Sequence, residues 1–140
     1  MDVVIDANVV FRILISQGNI LDVFFNPNIT LFAPERLREE FLRHKAEFIL
    51  KSKLEEKEFE MASSIMLDRI VFVPLVEYKK YLPKAKALLQ DHNKDEEFLA
   101  LCLCKNCKFW TYESRFFKLG YAISTKELAE KLNQEDKFFP

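Results

Sequence analysis

The sequence of 140 residues contains only two glycines, at positions 18 and 120, and three cysteines. So few glycines argue against long flexible loops, because glycine leaves the backbone least restricted. An odd number of cysteines gives no framework of paired disulfides, as is usual for proteins kept in a reducing compartment. The length and these absences together predict one domain, covering residues 1–140.

The sequence has no long apolar run, and its opening residues do not predict a secretory leader. The chain opens with the acidic and apolar segment Asp2-Val3-Val4-Ile5 rather than with the basic stretch of a secretory signal. No segment approaches the roughly 20 consecutive apolar residues that a membrane-spanning helix needs. We therefore expect a cytoplasmic protein that does not associate with a membrane.

The charge of the sequence has no strong sign, since 21 lysines and arginines stand against 22 aspartates and glutamates. Many nucleic-acid-binding proteins are basic because phosphate contacts dominate their affinity. The net charge of −1 therefore weakly opposes such a function, which would need a local basic surface. Basic residues do gather between 36 and 57, but interleaved glutamates favour a self-paired surface there.

The sequence does contain short apolar strands in regular alternation with helical segments, a pattern typical of an α/β domain with a mostly parallel sheet. Strands are predicted at 3–5, 30–32, 70–73, 109–111 and 121–123. Helices are predicted at 8–16, 21–25, 35–50, 83–89, 95–105 and 124–132, with one more following a cap at Ser52. Capping boxes are predicted for the pairs Ser52 with Glu55 and Ser124 with Glu127.

Two carboxylates directly follow predicted strands, Asp6 after residues 3–5 and Glu113 after residues 109–111. The carboxyl ends of parallel strands meet at one edge of a sheet, which is where ligands bind. Asn8 could orient the Asp6 carboxylate or cap the following helix. Both acids could equally be simple helix caps, so neither position alone decides the question.

Two more acids are placed by helical pattern. Glu40 shares a helical face with Leu37 and Phe41, so it points toward the sheet or lies at the margin of an apolar stripe. Asp95 heads an apolar helix, where an acid also stabilises the positive end of the helix dipole. Asp91, four residues earlier, is a competing candidate for the same role.

Carboxylates that converge at one edge would repel one another and raise one another's pKa unless a cation neutralised them. Ligand sets made of oxygen atoms favour the hard cations Mg²⁺ and Mn²⁺. Such a cation can activate water and hold a phosphodiester, so the pattern favours hydrolysis of a nucleic-acid backbone.

Four segments of the sequence resemble, in order, the motifs of the PIN-domain ribonuclease family. They are VVIDANV at 3–9, APERLREEF at 33–41, DEEFLALCL at 95–103 and FWTYESRF at 109–116. The resemblance implies a three-layer α/β/α sandwich around a parallel sheet of about five strands. It also implies endoribonuclease activity that depends on Mg²⁺ or Mn²⁺.

The resemblance assigns residues to roles in that activity. Asp6, Glu40, Asp95 and Glu113 correspond to the catalytic metal ligands, although aspartate is usual where Glu113 stands. Thr111 resembles the family's site hydroxyl, although threonine is also common in strands for its β propensity alone. Independently of the resemblance, either the basic stretch between 36 and 57 or the pair Arg115 and Lys118 beside Glu113 is expected to hold RNA phosphates.

Many members of this family, including the VapC type, are the toxin half of a toxin–antitoxin pair and are often homodimers. The implied partners are therefore an RNA substrate, an antitoxin protein and a second copy of the chain. An alternative stays open, in which the chain is a PIN scaffold that binds RNA or a protein without cutting. The glutamate at position 113 and the near-neutral charge make this alternative reasonable.

Overall fold

The computed structural model describes residues 1–15, 18–90 and 95–138. Its strands are β1 (Asp2–Ile5), β2 (Thr30–Pro34), β3 (Ile70–Val73), β4 (Lys108–Trp110) and β5 (Ala122–Ile123). Its helices are α1 (Ala7–Ile15), α2 (Asn19–Phe24), α3 (Glu35–Arg43), α4 (Lys45–Ser52), α5 (Glu56–Arg69), α6 (Leu75–Tyr78), α7 (Leu82–Leu89), α8 (Glu96–Lys105), α9 (Ser114–Lys118) and α10 (Thr125–Phe138). A 3-10 turn (Lys79–Tyr81) joins α6 to α7.

The five strands form one sheet in the order β3-β2-β1-β4-β5, with every neighbouring pair parallel. The chain moves outward from β1 through β2 to β3, then crosses to the other side of β1 for β4 and β5. This reversal places the topological switch point between the carboxyl ends of β1 and β4. Ligands of open α/β sheets bind at such a point.

The central strand β1 is covered on both faces, since Val3, Val4 and Ile5 are all almost completely buried. Helix α8 packs against β1, β2 and β4, and its residues from Phe98 to Cys102 are buried as well. An apolar helix against an apolar strand is what a doubly covered parallel sheet requires. The predicted three-layer α/β/α fold is therefore confirmed.

The surface carries the self-paired charges that the sequence predicted. Lys51 Nζ lies 2.9 Å from Glu47 Oε1, and Lys45 pairs with Glu60 between α4 and α5. Exposed pairs of this kind contribute little to stability. None of the helices in the described part of the chain combines the length and apolar character needed to cross a bilayer.

The single helix predicted over 35–50 is wrong, because the chain breaks at His44 into α3 and α4. The change of direction lets Phe48 pack against Phe11 and Phe41, with ring centroids 5.0 and 5.3 Å away. Burial of these aromatic faces compensates for the interrupted helical hydrogen bonds.

The two predicted capping boxes have different outcomes. The box at Ser52 is wrong, because its hydroxyl donates to the carbonyl of Ile49 within α4, and α5 begins only at Glu56. The box at the start of α10 is confirmed. There the Ser124 amide donates to Glu127 Oε1 at 3.3 Å, and the Glu127 amide donates to Ser124 Oγ at 3.1 Å.

Candidate active site

Asp6 is the first residue past β1 and lies at the switch point. Its backbone amide donates to the carbonyl of Trp110 on β4 at 3.0 Å, so the two strand ends are joined directly. Asp6 is only 4% exposed, since it directly follows the buried central strand. It accepts hydrogen bonds from the Thr111 hydroxyl (2.6 Å) and from the backbone amide of Asn8 (3.3 Å).

The surroundings of Asp6 raise its pKa from an ordinary 3.8 to about 6. Burial is the largest cause, because a desolvated carboxylate is less stable than the neutral acid. The hydrogen bonds from Thr111 and Asn8 oppose this increase, whereas the negative charges of Glu113 and Asp95 add to it. Asp6 therefore lies in the electrostatic field of two acids that come from distant parts of the sequence.

Arg115 connects two of these acids. Glu113 is held near Asp6 because its backbone amide donates to Thr111 Oγ1 at 3.2 Å. Arg115, in the first turn of α9, donates from Nε to Glu113 Oε2 at 3.2 Å and from Nη2 to the Asp95 carboxylate. The Arg115 guanidinium thus neutralises Asp95, which directly precedes α8, and Glu113, which lies in the loop after β4.

The fourth acid, Glu40, belongs to the same electrostatic group. The pKa of Asp95 is raised, first by burial and then by Glu113, while Arg115 lowers it and Glu40 adds a further increase. Burial and like charge thus outweigh the ion pair with Arg115. Asp6, Asp95 and Glu113 thus interact with one another, and Glu40 joins them only through its weaker effect on Asp95.

Sequence reasoning missed the residues that hold Glu40. Arg36 donates from Nε to Glu40 Oε1 at 2.9 Å and from Nη1 to Glu97 Oε2 at 3.3 Å, so it joins α3 to α8. The hydroxyl of the buried Tyr78 lies 3.4 Å from the other oxygen of Glu97. The available signals were the four-residue spacing of Arg36 and Glu40 and the acidic run that contains Glu97.

The remaining predicted residues have these positions. Thr111 lies just past β4 rather than within it, and its buried hydroxyl contacts Asp6 as expected of a site hydroxyl. Asn8 orients Asp6 through its backbone amide, while its side chain is exposed. Asp91, the competitor of Asp95, lies outside the described residues.

The donor set can be tested against a divalent cation. Carboxylate oxygens from four residues suit a hard cation. The pKa values of Asp6 and Asp95 are raised first by burial and then by neighbouring acids, and a bound cation would oppose both effects. Across residues 1–15, 18–90 and 95–138, no three acidic, histidine or cysteine side chains are close enough to enclose an ion. The donor chemistry thus suits Mg²⁺ or Mn²⁺, but the described side chains do not converge on one ion in this arrangement, in which Arg115 supplies the positive charge beside Asp95 and Glu113.

Comparison with known proteins identifies the family. The model of the PIN domain matches residues 4–135, from β1 into α10. No curated protein matches the sequence, and no solved structure matches it. The matched region contains all four acids of the site and the whole sheet apart from the first residues of β1. The chain therefore belongs to the PIN-domain family, whose members generally carry nuclease activity.

Proposed function

We propose that the protein is a divalent-metal-dependent endoribonuclease that hydrolyses RNA phosphodiester bonds. Asp6, Glu40, Asp95 and Glu113 are the proposed catalytic residues and the proposed ligands of Mg²⁺ or Mn²⁺. The observation that carries the proposal is the electrostatic interaction of Asp6 with Asp95 and Glu113 and of Asp95 with Glu40, although the four acids come from separate segments. Membership of a family of nucleases supports the same reaction class.

The residues around the four acids each have a defined task in this proposal. Asp6, Glu40, Asp95 and Glu113 would hold the divalent cation, which would supply activation of a water and stabilise negative charge on the phosphodiester. Thr111 and the Asn8 amide fix both oxygens of Asp6 before the ligand arrives. Arg36 holds Glu40 toward α8, and Arg115 is near enough to the acids to contact a substrate phosphate.

The substitution Asp95→Asn tests the proposal. It keeps the size of the side chain and removes its charge, so we expect Mn²⁺-dependent cleavage of RNA to be lost from a folded protein. Glu96→Gln is the matched control, because Glu96 is the adjacent acid but faces Lys86, whose Nζ lies 3.9 Å from its Oε2. Unchanged cleavage by purified Asp95→Asn would remove Asp95 from the mechanism.

A second candidate function is a scaffold that binds RNA or a protein without cutting. The ion pairs of Arg115 with Asp95 and Glu113 favour it, because they already neutralise two of the four acids. Calorimetric titration with Mn²⁺ separates the candidates. Absence of binding at millimolar Mn²⁺ would support the scaffold, whereas binding that Asp95→Asn abolishes would support the nuclease.

The proposal extends to a biological role, in which the protein is a cytoplasmic toxin of the VapC type, working as a homodimer and neutralised by an antitoxin protein. The family supports this role, since a nuclease directed at cellular RNA stops growth. Induced expression should then arrest growth, and Asp95→Asn should relieve the arrest. Equal growth of cells expressing either form would contradict the toxin role without affecting the nuclease.

A further inference from the structure

Tyr112 lies within the candidate active site in the sequence, directly between Thr111 and Glu113. The side chains before it, Trp110 and Thr111, are completely buried, but Tyr112 is 40% exposed. A single exposed aromatic residue is common on protein surfaces and means little by itself. Its importance here depends on how the ring is held.

Two contacts from different helices fix the Tyr112 ring. The Tyr112 hydroxyl lies 2.8 Å from Thr125 Oγ1 at the start of α10. Thr125 Oγ1 also accepts a 3.0 Å hydrogen bond from Trp110 Nε1. The guanidinium carbon of Arg12, on α1, lies 4.2 Å from the ring centroid and covers one face. The ring is therefore oriented in the free protein, which lowers the entropic cost of stacking a ligand on it.

We propose that Tyr112 and Arg12 form a stacking platform for an unpaired base of single-stranded RNA. This inference rests on the proposed function, and it puts the bound base beside the phosphodiester that the carboxylates act on. Unpaired bases stack on aromatic rings and on guanidinium planes, and the platform offers both.

The polar surroundings of the ring favour a base over a protein partner. Protein interfaces bury an aromatic anchor within an apolar patch, whereas the Tyr112 side chain contacts Arg12 and Thr125. A base needs only one flat face and polar groups at its rim. The platform therefore selects unpaired RNA, because a base held in a duplex has no free face to stack.

The experiment measures the affinity of fluorescein-labelled single-stranded RNA, ten nucleotides long, by fluorescence anisotropy. Titrations in EDTA and in Ca²⁺ compare the wild type with Tyr112→Leu and Tyr112→Phe. We expect Tyr112→Leu to bind about tenfold more weakly and Tyr112→Phe to stay within about twofold, because phenylalanine keeps the stacking face. A second set of RNAs each carries one abasic position. At one of these positions the missing base should lower the affinity of the wild type for RNA but leave the affinity of Tyr112→Leu unchanged.

Tyr81→Leu is the matched control. Tyr81 also carries a cation near its ring, with Lys80 Nζ 5.3 Å from the centroid. It lines a cavity with Cys107 and Lys108 at the amino end of β4, on the opposite edge of the sheet. If removal of any partly exposed tyrosine ring lowered the affinity for RNA, both leucine variants would bind more weakly. The platform requires weaker RNA binding by Tyr112→Leu alone.

Failure of this inference can be told apart from failure of the proposed function. Equal affinity of Tyr112→Leu and wild type, with Mn²⁺-dependent cleavage intact, overturns the platform alone. Binding that depends on Tyr112 without any cleavage supports the platform and contradicts the nuclease. A wild type that binds no single-stranded RNA in either solution overturns the platform together with RNA as the substrate.

Discussion

The hydroxyl of Thr111 donates a 2.6 Å hydrogen bond to Oδ2 of Asp6, although the two residues are 105 positions apart in the sequence. The bond links the residues that directly follow β1 and β4. The backbone amide of Asp6 also donates to the carbonyl of Trp110 there. Thr111 also accepts from the backbone amide of Glu113. One hydroxyl therefore sets the positions of two of the four acids.

Thr111→Val tests that relationship, because valine has the same shape without the hydroxyl. The buried Asp6 oxygen loses its donor and the Glu113 amide loses its acceptor, so we expect a loss of about 2 kcal/mol in the free energy of unfolding. The pKa of Asp6 should rise above about 6, since the Thr111 hydrogen bond lowers it. Urea denaturation and an NMR titration of the carboxyl carbon measure the two effects. Thr111→Ser keeps the hydroxyl, and a serine variant no better than valine would contradict this account.

The raised pKa of Asp6 predicts how stability depends on pH. The folded protein holds a proton with a pKa of about 6, whereas the unfolded chain releases it near 3.8. More protons are bound in the folded state across this window, so the free energy of unfolding falls as pH rises from 4 through 6. A difference of about 2 pKa units corresponds to about 3 kcal/mol.

Asp6→Asn removes this penalty, and the Thr111 hydroxyl can turn to accept from the new amide. The variant should match the wild type near pH 4 and exceed it by up to about 3 kcal/mol at pH 7. Chemical denaturation at a series of pH values gives both curves. Parallel curves for the two proteins would show that burial of the Asp6 charge does not limit stability.

The positions of the strand-end acids could be predicted from the sequence, because they follow from local rules. Residues after parallel strands collect at one edge, so Asp6 and Glu113 were expected to approach each other. Glu40 and Asp95 lie on helices, where pattern left a choice between a site and a surface position. Their place in the set came from the resemblance to a family.

The ion pairs of Arg36 with Glu97 and of Arg115 with Asp95 could not be predicted, because no local pattern relates these residues. Arg36 reaches Glu97 across 61 positions, and Arg115 reaches Asp95 across 20. Both contacts depend on how α3 and α9 pack beside α8, which is a tertiary property. The break at His44 was missed for the same reason, since it depends on where Phe48 finds aromatic partners.

Arg69 offers a test of the fold away from the site. Its guanidinium donates to the carbonyls of Phe24 (3.1 Å), Ile29 (3.2 Å) and Asn26, which surround the turn between α2 and β2. Arg69→Met leaves these carbonyls without their donors and should lower the free energy of unfolding by about 3 kcal/mol. Arg38→Met, made at an exposed position on α3, should change it by less than about 0.5 kcal/mol. Similar losses in the two variants by urea denaturation would contradict a specific role for Arg69.

Arg115 should compete with a divalent cation for the acids of the site. Its guanidinium already pairs with Asp95 and Glu113, so a cation that binds these carboxylates must displace it or share them. Arg115→Gln removes the competitor, and we expect it to bind Mn²⁺ about tenfold more tightly, which is about 1.4 kcal/mol. Calorimetric titration measures the affinity without requiring turnover. Lys118→Gln, at an exposed position on α9, removes the same charge without those ion pairs. An equal increase in both variants would indicate a general effect of charge, and weaker binding by Arg115→Gln would show instead that the guanidinium holds the carboxylates in place for the metal.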